Sequence, residues 1–179
     1  MSEIDIEVVN LTRLALEPGE VALLVAGVLT DEGLTAGELG VRFVGARRMR
    51  GLNRDHLGHD EVTDVLSFPL EDDDDHRVRP DGAAAASPAA SSRNDGAGPA
   101  AAGEAAVPRL LGDVVVCPTR AAAQARGAGI PLAREIATLL VHGTLHVLGY
   151  DHETDGGEMS ARQDELLGAS SWERLLAQD

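Results

Sequence analysis

The sequence predicts an α+β fold: a single domain over residues 1–179, with one small mixed sheet of about four strands packed with about five helices. Three observations lead there. Strand and helix patterns alternate through the first half of the chain, three helical segments follow one another in the second half, and a low-complexity stretch separates the third strand from the fourth. The resulting order, β-α-β-α-β-β-α-α-α, suggests one mixed sheet covered by helices.

The elements read as follows. Ile4-Asp5-Ile6-Glu7-Val8 alternates apolar and polar residues, as a half-buried strand does, and Pro18 to Leu29 is an apolar helix. Val41 to Val44 is a second strand, followed by a short arginine-bearing helix near Ala46 to Asn53. Val65-Leu66-Ser67-Phe68 is a third strand, ended by Pro69. Residues 71–108 open with Glu71 and four consecutive aspartates and continue as an Ala/Ser/Gly/Pro mixture with few large apolar residues, so a disordered insertion is expected there. Val114-Val115-Val116 is the fourth strand. Helices are expected near Pro118 to Arg126, Leu132 to Leu148 and Gly157 to Leu167, with a short turn around Trp172; Pro118 and Pro131 suit helix first turns.

At 179 residues and 44% hydrophobic content, the chain can bury one sizeable core. No apolar run approaches the length that spans a bilayer, which argues against a membrane protein. The N-terminus has neither the basic flank nor the apolar core of a signal peptide, so a cytoplasmic location is expected. The lone Cys117 excludes an internal disulfide and reads as a buried structural thiol. A formal net charge of −15 disfavours bulk attraction to nucleic acid. All fifteen basic residues are arginines, however, and Arg42, Arg47, Arg48, Arg50 and Arg54 fall within thirteen positions. Such a group is either a solvated helix face or a patch that contacts phosphate.

Chemistry concentrates in the run His142-Gly143-Thr144-Leu145-His146-Val147-Leu148-Gly149-Tyr150-Asp151-His152. His142 and His146, four apart on a helical segment, project about 40° from one another on one face. That pair alone also suits an ordinary polar helix face. Gly149 supplies a left-handed residue to end the helix, and the turn it permits can return His152 over the same face. Three imidazoles suit zinc and leave a fourth position open for water or substrate. The spacing parallels the metalloprotease pattern H-E-x-x-H-x-x-G-x-x-H, but Gly143 stands where that pattern has its glutamate base, which disfavours peptidase chemistry. Leu132, Ile136, Leu139, Leu140, Gly143 and Val147 form the stripe to be buried, with the histidines beside it.

Two further segments become interpretable beside this run: Leu52-Asn53-Arg54-Asp55-His56-Leu57-Gly58-His59-Asp60-Glu61-Val62-Thr63-Asp64-Val65-Leu66-Ser67-Phe68-Pro69 and Leu111-Gly112-Asp113-Val114-Val115-Val116. Together with the histidine run they resemble the YbeY family of bacterial metal-dependent endoribonucleases, also called rRNA maturation factors. The resemblance covers about residues 40–70 and 110–155.

That resemblance implies an α+β fold, one zinc ion per chain, and a role in maturing small-subunit ribosomal RNA, including its 3′ end, and in ribosome quality control. It makes His142, His146 and His152 the zinc ligands and the catalytic centre, through the ion and its water. Asp113 and Asp151 become candidates to orient an imidazole, with surface or turn capping as the other reading of both. Asn53, Arg54, Thr63, Asp64 and Ser67, with Arg50 beside them, would line or support an RNA cleft. Many members carry an aromatic-arginine pair after the L-N-x-x element, whereas this chain has His56-Leu57. Phosphate binding would then fall to Arg54, its arginine neighbours or a ribosomal partner. The implied partners are precursor small-subunit rRNA, the small ribosomal subunit and its associated proteins. A different class of function, a non-catalytic assembly factor with a structural zinc, stays open beside the enzyme.

Overall fold

The computed structural model describes residues 3–70, 109–151 and 156–177. The insertion expected at 71–108 lies outside the described residues, as does His152. Within them, strands and helices occur in the expected order.

Strand β1 (Glu3–Asn10) sets half-buried Ile4, Ile6 and Val8 against exposed Asp5 and Glu7. Pro18 opens helix α1 (Pro18–Asp31), which buries Val21, Leu24, Val25, Val28 and Leu29, a stripe at helical spacing. Strand β2 (Ala36–Phe43) returns parallel to β1. Helix α2 (Ala46–Leu57) then leads to β3 (Val65–Pro69), and β4 (Leu110–Val116) pairs with β2 in parallel and with β3 antiparallel. The sheet order is β1-β2-β4-β3, a mixed sheet as the sequence predicts. Helices α3 (Pro118–Ala128), α4 (Leu132–Val147) and α5 (Glu158–Ala169) follow, and a 3-10 turn spans Trp172–Arg174.

The two faces of the sheet differ. One carries Leu39, Val41, Phe43, Val114 and Val116, and packs with α1 and α4 in the main core. Ile136, Leu140 and Leu145 of α4 are fully buried there, each contributing about 1.5–3 kcal/mol. The other face carries Leu66 and Val115, which form a smaller cluster with Val44, Met49 and Cys117 on the α2 side. Cys117 is buried, as its apolar context predicts.

Several boundaries move. Strand β2 begins at Ala36 rather than Val41 because its glycine-rich first half is recruited by register, Ala36 to Gly40 pairing with Glu3 to Glu7. Strand β4 likewise begins at Leu110, because Gly112 and Asp113 interrupt its apolar pattern while pairing with Glu38 extends it. Helix α2 runs past Asn53 through a polar last turn and stops at Gly58, whose φ of 76° is left-handed. Pro131 sits at the N-cap of α4, one position before its first turn.

Candidate metal centre

Helix α4 meets the sheet at a glycine. A Cβ on Gly143 would lie 2.6 Å from Val114 Cγ1 and 3.2 Å from both Ser67 Oγ and Val65 Cγ2. The groups that crowd this glycine are thus side chains of β3 and β4. Ser67 Oγ also donates to the Gly143 carbonyl at 3.0 Å, fixing the helix's rotation about its axis. With Gly143 seated on the strands, His142 and His146 fall on the half-buried flank of α4.

The end of α4 then positions the second ring. Gly149 is left-handed, with φ 94°. Its N–H donates to the His146 carbonyl at 3.0 Å and that of Tyr150 to the Leu145 carbonyl at 3.1 Å, a Schellman closure. The closure turns the Tyr150 carbonyl back onto the helix, where it lies 2.9 Å from His146 Nδ1. On the other side, Gln163 Oε1 of α5 lies 2.9 Å from His142 Nδ1. Tyr150 is itself held: its hydroxyl donates to Glu32 Oε2 at 2.8 Å. Burial, then the Glu32 hydrogen bond and charge, push the phenol up to about 12.

These contacts dictate the tautomer. A carbonyl oxygen only accepts, so both Nδ1 atoms must donate, and each neutral ring presents an Nε2 lone pair. The two Nε2 atoms lie 3.1 Å apart, with ring centroids 4.6 Å apart and ring planes at 77°. Two lone pairs aimed at one another repel, and a cation between them removes the repulsion. Tetrahedral zinc with nitrogen ligands at about 2.0–2.1 Å sets its ligand atoms about 3.4 Å apart, close to this spacing. The donor set therefore fits a transition metal. Among the described residues there is no group of three or more His, Cys, Asp and Glu that could hold one; His152 lies outside them.

Asp113, expected to orient an imidazole, is on the opposite face of the sheet. Its neighbour Val114 faces Gly143, and strand alternation turns Asp113 the other way, where it accepts from Arg42 Nε at 3.1 Å. Asp151 is exposed on the turn after Tyr150.

The residues expected to line an RNA cleft divide between α2 (Arg50, Asn53 and Arg54), the loop before β3 (Thr63 and Asp64) and β3 itself, where Ser67 faces Gly143. Asn53 is buried and its Nδ2 donates to the Glu61 carbonyl at 3.0 Å. Arg50 grips Asp60 with two bonds, at 2.8 and 2.6 Å, and Arg54 bonds Asp55 at 3.0 Å. Thr63 Oγ1, Gln124 Nε2 and the Val65 N–H all donate to the Asp64 carboxylate. Burial pushes that carboxyl up, but the hydrogen bonds outweigh it and hold it below the usual aspartate range. Arg47 and Arg48 are exposed on α2 and make no ion pair among the described residues.

Sequence reasoning does not single out Gln163. A signal exists, because Gln163 sits four residues after buried Met159 and three before buried Leu166, a polar residue on the apolar stripe of α5.

A family model described as Endoribonuclease YbeY matches residues 13–171. The chain is 38% identical to the Endoribonuclease YbeY of Bacillus cytotoxicus, over 93% of this chain and 89% of that protein. It is 39% identical to the Endoribonuclease YbeY of Geobacillus thermodenitrificans, over 73% and 70% respectively. A protein of Thermotoga maritima solved in solution superposes with a TM-score of 0.53 at 21% identity, over 90% of this chain and 86% of that one. That likeness supports the fold. Among the described residues, no helix is long and apolar enough to cross a membrane.

Proposed function

The chain belongs to the YbeY family of endoribonucleases, and from that premise we propose that it is a zinc-dependent endoribonuclease acting on single-stranded precursor small-subunit rRNA. Maturation of the RNA 3′ end and ribosome quality control are the processes this reading assigns to it. It also carries a cytoplasmic location and the small ribosomal subunit as partner.

One observation supports the metal part of the reading most strongly: His142 and His146 each use Nδ1 as a donor and turn Nε2 to a common point. His142 and His146, with His152 as third ligand, would hold the ion. When bound, it supplies Lewis acidity toward a phosphodiester oxygen and lowers the pKa of a coordinated water. Gln163 and Tyr150 keep both rings oriented, so little reorganisation accompanies ligation. Arg47 and Arg48, which make no ion pair among the described residues, offer guanidinium forks for phosphate, whereas Arg50 and Arg54 must first leave Asp60 and Asp55. Gly143 stands where a glutamate base would be, so the chain brings no carboxylate to the position that metalloproteases use. The proton of the attacking water, or of the ribose 2′-OH, would then pass to solvent water rather than to a protein carboxylate at that position.

The test compares wild type with His146→Ala, pairing metal analysis with cleavage of precursor small-subunit rRNA, both naked and within the subunit. Stoichiometric zinc with cleavage that depends on His146 supports the proposal. Zinc without cleavage in either format favours an assembly factor with a structural metal, and full activity in metal-free His146→Ala contradicts the zinc assignment.

A further inference from the structure

Glu32 lies at the end of α1, 118 residues before Tyr150, yet it contacts both segments that hold the histidines. Its side chain is only 4% exposed. A carboxylate so buried is stable when paired and hydrogen-bonded, and both of its oxygens are engaged. Oε2 accepts from the Tyr150 hydroxyl at 2.8 Å and Oε1 from Arg162 Nε at 2.6 Å. Arg162 also donates to the Asp31 carbonyl at 3.1 Å and to Glu165 Oε2 at 2.7 Å, clamping α5 to the end of α1.

Each partner of Glu32 adjoins an acceptor for one histidine ring. The Tyr150 carbonyl faces His146 Nδ1, and Gln163, next to Arg162 on α5, faces His142 Nδ1. We propose that Glu32 is a positioning residue for the metal centre: by tying Tyr150 to Arg162 it fixes the two acceptors that aim both Nε2 atoms at one point. This role rests on the metal-site reading of the two histidines. Glu32 itself touches neither ring. It acts through the Tyr150 backbone on one side and through the placement of α5 on the other.

The experiment uses the full chain and four proteins: wild type, Glu32→Gln, Tyr150→Phe and the double variant. Glu32→Gln keeps the shape but sets an amide donor or a neutral oxygen against Arg162 Nε. Tyr150→Phe leaves the Glu32–Arg162 pair intact and removes only the hydroxyl that ties the carbonyl of position 150 to Glu32, so it remains informative where Glu32→Gln folds poorly. Zinc affinity is read by competition with a chromophoric chelator, and ligand geometry by the visible spectrum of the cobalt-substituted protein. We expect each single variant to bind zinc about tenfold more weakly and to change the cobalt spectrum. The double variant should bind no more weakly than the weaker-binding single variant, because the Tyr150 hydroxyl acts only through Glu32. Wild-type zinc affinity and an unchanged cobalt spectrum in both variants would overturn the inference, even if the metal-free proteins melt lower, because the brace would then be structural only. A wild-type protein that binds no zinc would overturn the underlying metal reading and this inference with it.

Discussion

Ser67 on β3 donates its hydroxyl to the carbonyl of Gly143 on α4 at 3.0 Å, beside the two histidines of that helix. The bond joins residues 76 positions apart, and it acts with the absence of a side chain on Gly143 to set how deep and at what rotation α4 lies on the sheet. The placement of both imidazoles follows from that seating.

Gly143→Ala should therefore destabilise the metal-free protein. The added methyl meets buried Val114, and overpacking of this kind costs about 1–3 kcal/mol. Alanine's better helix propensity offsets about 1 kcal/mol of it. Ser67→Ala, which removes one hydrogen bond and adds no bulk, should cost about 1 kcal/mol. Urea unfolding of both variants checks the order; a neutral or stabilised Gly143→Ala would show that the helix can shift without penalty.

Gln163→Leu should remove the acceptor that orients His142. We expect zinc to bind about 10–100-fold more weakly. In the metal-free protein, nitrogen NMR of His142 should change from a single Nδ1-protonated tautomer to a mixture. An unchanged tautomer would mean that α4 alone orients the ring.

Arginines already paired should matter less to RNA than unpaired ones. Arg47→Ala and Arg48→Ala should each weaken single-stranded RNA binding and reduce its salt slope by about 0.7 for each phosphate that the arginine had neutralised. Arg50→Ala, whose guanidinium is held by Asp60, should have the smaller effect. Salt titrations of binding distinguish these cases, and equal reductions at all three positions would contradict the ranking.

Asp64 gives a pH dependence with a defined sign. Its native carboxyl titrates below its unfolded value, so its contribution to stability is complete above about pH 4 and is lost as pH falls through the depressed native value. The stability gap between wild type and Asp64→Asn should thus be widest near neutrality and close in acid. Unfolding midpoints measured from pH 6 downward test it, and a constant gap would assign the effect to the Gln124 and Thr63 hydrogen bonds alone.

Features legible in the sequence are those with local causes. The left-handed Gly149 that ends α4 and the alternation of β1 each follow from a few adjacent residues, whereas the seat of Gly143 is made by side chains of β3 and β4. What could not be read depends on pairing at a distance. The glycine-rich half of β2 becomes a strand because β1 lies beside it. Asp113 stands in an apolar strand whose facing is decided by which neighbour meets α4, and its pairing with Arg42 follows from that. Gln163 carries a weak signal as a polar residue on an apolar stripe, while Glu32 carries none, since its meaning arises only when α1 meets Tyr150 and α5.

The most direct test is the zinc coordination shell of the loaded protein, measured by X-ray absorption at the zinc edge. A catalytic centre built on His142, His146 and His152 predicts three imidazole nitrogens at about 2.0–2.1 Å and one exchangeable oxygen. A shell closed by a fourth protein ligand, or one unchanged in His146→Ala, would contradict it.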